Sequence, residues 1–189
     1  MKKIFLIAII LLAAVLRFWR LDSYPALNAD EAAIGYNAYS LIQTGKDEHG
    51  NPWPIHFQSF NDYKPGLYVY LVLPFVKFFG LNEWSVRIPG ALLGVATVYI
   101  VYLLIRELKI GDSLEIENWK LEILAPAWLA ISPWHIHFSR GGWEVNVATF
   151  FITAGILVFL KSLRNPKLFT FSFLLFALSL YTYHSARVI

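Results

Sequence analysis

Apolar residues run almost unbroken over 4–16, fenced by Lys2 and Lys3 on one side and by Arg17-Phe18-Trp19-Arg20 on the other. A basic start before a short apolar core has the form of a secretory signal. Aromatic and basic anchors nevertheless stand where a small-residue cleavage site would have to be. The pattern predicts a retained span over 4–20, and further apolar runs predict spans over 88–105, 121–136, 145–160 and 168–183. Residues 22–63 break the rhythm. Within them Pro25 and Asn28 precede a helical pattern over 29–43 that closes at Thr44-Gly45. Asn28 is its expected N-cap, and its modest apolar face suits a helix lying along a membrane. Residues 46–52 read as loop and 53–60 as an aromatic, membrane-touching connection. The apolar run 65–80 is only 16 residues long and is interrupted by Pro74 and Lys77. It reads as an interfacial or re-entrant helix, which requires its backbone to be covered by protein.

Composition agrees with a polytopic membrane protein. The chain is 57% hydrophobic and 15% charged, against about 25% charged in a soluble domain. Its mean hydropathy is +0.52. The formal charge of +3 does not point to nucleic acid, because the basic residues stand mostly at the ends of apolar runs, where they set topology. There is no cysteine, which excludes disulfides, thiolate ligands and a Cys nucleophile.

The basic clusters at 2–3, 106–120 and 161–167 belong on the cytoplasmic side by the positive-inside rule. All three fall there only if 65–80 returns to the outer face without crossing. The fold expected is therefore an all-α membrane protein of about five spans, with membrane-parallel helices in an outer loop over 21–87. Glycines 90, 94 and 155 read as close-packing positions between helices.

This topology collects Asp30, Glu31, Asp62, Lys64, Glu83, Arg87, Arg140, Glu144, Tyr183, His184 and Arg187 on one face. Ionisable groups near membrane depth are costly and mark sites. A carboxylate can take a proton from an attacking hydroxyl, and Lys or Arg can hold a phosphate. A groove lined by Trp and Tyr suits a lipid tail. Together these features suggest transfer from or to a lipid-linked phosphate ester. Acids at a helix start also favour the helix dipole, so the Asp30-Glu31 pair carries no function by itself. His135 and His137 are two apart and do not share a helix face, which makes a zinc pair a poor reading.

The motifs Asn28-Ala29-Asp30-Glu31-Ala32, Gly45-Lys46-Asp47, Asp62-Tyr63-Lys64-Pro65, Glu83-Trp84-Ser85-Val86-Arg87-Ile88-Pro89, Ser132-Pro133-Trp134, Ser139-Arg140 with Glu144, and Tyr181-Thr182-Tyr183-His184-Ser185-Ala186-Arg187 occur in this order. The chain thereby resembles the N-terminal part of the dolichyl-phosphate-mannose–protein mannosyltransferase superfamily, which includes the lipid A aminoarabinose transferases. The resemblance implies a C-type membrane glycosyltransferase fold and a polyprenyl-phosphate sugar donor. It also implies a hydroxyl acceptor on lipid, glycan or protein, inversion, and an extracytoplasmic active face at the cell membrane. It assigns catalysis to Asp30, with Glu31 beside it and Glu144 from a second loop. Lys64 is assigned to the donor phosphate, with Arg140, Tyr183, His184 and Arg187 as further substrate-binding residues. A divalent cation is compatible with two loop acids, and metal dependence stays open. Gly66 follows Lys64-Pro65 where a second Pro is common, and is expected to loosen that turn. Family members are longer, so the chain reads as a truncated fold that lacks its C-terminal part. The alternatives are a transporter or lipid-binding protein without chemistry, and an inactive fragment. The first predicts charges inside the spans, and 4–16, 88–105 and 145–160 carry none.

Overall fold

A computed structural model describes residues 2–59, 62–108 and 118–183. Its helices are α1 (Lys2–Phe18), α2 (Ala29–Thr44), α3 (Leu67–Phe79), α4 (Glu83–Leu108), α5 (Asn118–Ile131), α6 (Pro133–Arg140), α7 (Glu144–Ser162) and α8 (Phe169–Leu180). A short 3-10 turn, Pro166–Leu168, leads into α8. Between α2 and α3 two strands, β1 (His56–Ser59) and β2 (Asp62–Pro65), pair antiparallel with Phe57 opposite Lys64. This hairpin corrects the all-α expectation and replaces part of the aromatic connection expected over 53–60. Among the described residues two helices, α4 and α7, are long and apolar enough to cross a membrane. The span expected over 121–136 is interrupted, because α5 stops at Ile131 and Pro133 opens a new helix.

α4 is the central element and packs against α1, α2, α3, α5, α6 and α7. One apolar cluster joins α2, α3, α4 and α7 through Ile34, Leu41, Val72, Val86 and Val147, with Phe57 of the hairpin buried among them. A second joins Ile9 and Ala13 of α1 to Val98 and Ala130. Gly94 is required where α1, α4 and α6 cross, since a Cβ there would fall on Ser139 Oγ.

Contacts at the helix ends sort the charges. Lys2 pairs with Glu122 at 2.8 Å, and Glu107 pairs with Arg164, at one end of the bundle. At the other end Arg87 bonds the carbonyl of Leu21, Asn146 bonds that of Gly90, and Arg140 bonds those of Leu16 and Tyr24. Both ends of α3 lie in this second layer. Tyr68, near its start, donates to Val86 O, and Gly80, just past its end, accepts from Ser85 Oγ. The helix continues through Pro74 and does not break there.

Large apolar side chains face outward along α1 (Ile4, Phe5, Ile7, Leu11) and α8 (Phe169, Phe171, Phe173). Contiguous exposure on this scale is a liability in water and ordinary against lipid. Arg17 departs from the expected interfacial anchor. It is fully buried, with Nη1 bonded to the carbonyls of Ala13 and Ala130 and Nη2 lying 2.7 Å from His135 Nδ1.

Candidate active site

Asn28 sets the geometry of the first acid pair. Its backbone is extended, its side chain accepts from Glu31 N at 2.9 Å, and Glu31 reaches back to Asn28 N at 3.1 Å. This reciprocal capping box fixes Asp30 and Glu31 in the first turn of α2. Successive helical residues point about 100° apart, so the two acids serve different neighbours.

Asp30 faces the hairpin. Lys64 Nζ donates to Asp30 Oδ1 at 2.6 Å, with the two side chains 29% and 36% exposed respectively. With about a third of each side chain exposed, the pair is open to an incoming molecule. Lys64 is held because Phe57, its cross-strand partner, is buried. The hairpin root is also tied twice, by Tyr70 Oη to Pro54 O and by Tyr181 Oη to Ile55 O, both at 2.8 Å.

Asp30, Lys64 and Glu144 line one cavity of about 370 Å³, together with Asp62, Phe138, Trp143 and Tyr183. A narrower cleft continues from it past Asn37, Phe57 and Tyr68. Burial, with the Glu144 and Glu31 carboxylates adding to it, pushes the Tyr68 phenol well above its ordinary pKa. Tyr68 is thus a fixed donor to Val86 O and no acid–base group at neutral pH.

Glu31 is fully buried, and its oxygens accept from Arg87 Nε (2.6 Å), Arg87 Nη2 (3.0 Å), Gly142 N (3.0 Å) and Asn28. It has no face open to a substrate. What it does is join the start of α2, the first turns of α4 and the loop that precedes Glu144.

Arg140 is not brought to this cavity. Its Nη atoms bond the carbonyls of Leu16, Arg17, Trp19, Arg20 and Tyr24, where α1 ends. It acts there as a clamp on the carbonyls of the last turn of α1 and of the turn that follows. His184 and Arg187 lie outside the described residues. Asp62 is placed on this face by the sequence but given no role there, and Phe138 and Trp143 are given none either. Asp62 lies in the same short motif as Lys64, which was the available signal. Among the described residues no group of three or more His, Asp or Glu could hold a metal ion.

The arrangement is thus an accessible carboxylate–ammonium pair, a second acid across a cavity, and an aromatic wall. A family model for dolichyl-phosphate-mannose-protein mannosyltransferase matches residues 7–182. The chain belongs to that family. No curated protein and no solved structure matches it significantly. Membership in the mannosyltransferase family makes this an integral membrane protein of a glycosyltransferase group.

Proposed function

We propose that the chain forms the catalytic face of a glycosyltransferase that moves a sugar from a polyprenyl phosphate to a hydroxyl of a lipid, glycan or protein. The observation that carries this reading is the 2.6 Å Lys64–Asp30 contact at a cavity that also exposes Glu144. Asp30 takes the proton of the acceptor hydroxyl as its oxygen bonds to the anomeric carbon. The bond from that carbon to the donor phosphate breaks in the same displacement, which inverts the centre. The electron pair leaves with the phosphate, whose charge Lys64 offsets. Glu144 orients the acceptor from the opposite wall. Tyr183 lines the cavity beside it, and His184 and Arg187 follow directly in sequence as further candidates for the phosphate. Glu31 positions Asp30 and is not itself a catalytic group.

The membrane arrangement that fits this chemistry has five spans, α1, α4, α5–α6, α7 and α8, in the cell membrane. Helices α2 and α3 then lie along the extracytoplasmic surface. Support comes from the basic residues collecting at the opposite end from the cavity, and from both ends of α3 lying in the cavity layer.

The test is transfer from labelled polyprenyl-phosphate sugars in membranes that carry the protein. Asp30→Asn is expected to lower turnover by about 10²–10⁴-fold with donor binding retained. Lys64→Ala is expected to raise donor KM more than any other single change in the cavity. Undiminished turnover in Asp30→Asn removes the base assignment.

A further inference from the structure

A second cavity, of about 490 Å³, shares no lining residue with the one at Asp30 and Lys64. Val15, Leu16 and Ile136 make its apolar part, and Arg20 and Ser23 its polar part. Trp19 and Tyr24 flank it, 70% and 68% exposed. The apolar part opens onto the outward face of α1, where Leu11 and Leu12 continue the same surface. The polar part begins where α1 stops, at Phe18. An apolar run ending in a cation, a hydroxyl and two exposed aromatics is the profile of a bilayer surface from acyl region to headgroup.

The charge here is unbalanced. Arg140 also lines the cavity, and its partners are carbonyls and the ring of Tyr24, with no carboxylate among them. Arg140 is 93% buried (7% exposed), and its Nε has no hydrogen-bond partner among the described residues. The Arg20 side chain bonds only Ser23 Oγ, at 3.4 Å, among the described residues. No Asp or Glu lines the cavity, although Asp22 is exposed on the adjoining turn. Two guanidinium groups with no carboxylate partner among the described residues, beside an apolar slot, form a site for an amphiphile with an anionic head.

We infer that this cavity holds an anionic phospholipid of the surrounding bilayer, with its phosphate at Arg20 and Ser23 and an acyl chain along Val15, Leu16 and Ile136. The donor lipid is the lesser candidate, because a phosphate seated here would not line the cavity that holds Asp30 and Lys64. The inference rests on the membrane character of the family and is independent of the transfer chemistry.

The experiment reconstitutes the full chain in nanodiscs of mixed phosphatidylglycerol and phosphatidylcholine, then re-extracts it and quantifies the retained lipid by mass spectrometry. The wild type is expected to retain phosphatidylglycerol several-fold over its bulk share. Arg20→Gln is expected to lose that preference, and Arg20→Lys to keep most of it. Val15→Trp, which fills the slot without changing charge, is expected to lower total retained lipid. Equal enrichment in the wild type and Arg20→Gln would overturn the site, as would no headgroup preference in the wild type. Selective displacement of phosphatidylglycerol by an added polyprenyl phosphate would overturn the assignment to bilayer lipid. Because the readout is bound lipid, failure here is distinguishable from failure of the transferase reading.

Discussion

The Arg87 guanidinium meets the Glu31 carboxylate through two hydrogen bonds, 2.6 Å from Nε and 3.0 Å from Nη2, and neither side chain reaches solvent. Glu31 Oε1 also accepts from Gly142 N, two residues before Glu144. One buried carboxylate therefore locks the turn that carries Asp30 to the loop that carries Glu144. Removing one partner of such a pair leaves an uncompensated charge and costs about 3–5 kcal/mol. Arg87→Ala is expected to lower the thermal midpoint in detergent sharply. Glu31→Gln/Arg87→Met, which removes both charges at similar volume, should recover much of the loss. A midpoint of Arg87→Ala equal to wild type would show that the lock is not needed for the fold.

Gly66 is demanded by close approach rather than by flexibility. A Cβ there would stand 2.7 Å from Ile55 O and 2.8 Å from the Phe57 ring, and Gly66 N donates to Ile55 O at 3.1 Å. The turn is therefore tight where the sequence suggested a loosened one. A proline would clash at Cβ and also lose the N–H. Gly66→Pro is expected to displace the hairpin that carries Lys64 and to cost about 1–3 kcal/mol. The check is a thermal midpoint together with donor KM, and a Gly66→Pro protein with both unchanged would contradict this account.

The bundle was legible because apolar runs bounded by charges are long-range signals carried by local composition. The start and end of α2 were legible because Asn28 and Gly45 satisfy helix termini through their own chemistry. The hairpin was not. Its second strand is Asp62-Tyr63-Lys64-Pro65, poor in strand formers, and it exists because Phe57 is buried, a tertiary effect. The adjacent acids Asp30 and Glu31 look alike in sequence. Their roles separate only when Arg87 approaches one and Lys64 the other, across 56 and 34 positions. Arg140 reads in the sequence as a cation of the substrate-binding face, yet its donors close the end of α1.

The absence of native cysteine makes the membrane arrangement directly testable. Leu81, exposed between α3 and α4, and Lys167, exposed before α8, belong to opposite ends of the bundle. In intact cells, Leu81→Cys is expected to react with an impermeant maleimide and Lys167→Cys to react only after permeabilisation. Labelling of Lys167→Cys alone would mean that α3 crosses the membrane, labelling of both from outside would mean that one of α4, α5–α6 and α7 does not cross, and either result would make the five-span arrangement wrong.

Tyr181 connects the far end of the described chain to Lys64. Its hydroxyl donates to Ile55 O, the same carbonyl that accepts Gly66 N, and its ring meets His56 edge-on at 6.2 Å. The root of the hairpin is thus pinned to α3 through Tyr70 and to the end of α8 through Tyr181. Tyr181→Phe removes only the hydroxyl, a change of about 1 kcal/mol that leaves the fold intact. If Lys64 meets the donor phosphate, loosening its hairpin acts on donor binding before it acts on turnover. Tyr181→Phe is expected to raise donor KM several-fold with kcat nearly unchanged, and Tyr70→Phe/Tyr181→Phe to raise it further. Lys64→Ala should make the Tyr181→Phe change silent, since no ammonium is left to position. An effect of Tyr181→Phe that persists undiminished in the Lys64→Ala background would assign Tyr181 a separate contact with the substrate.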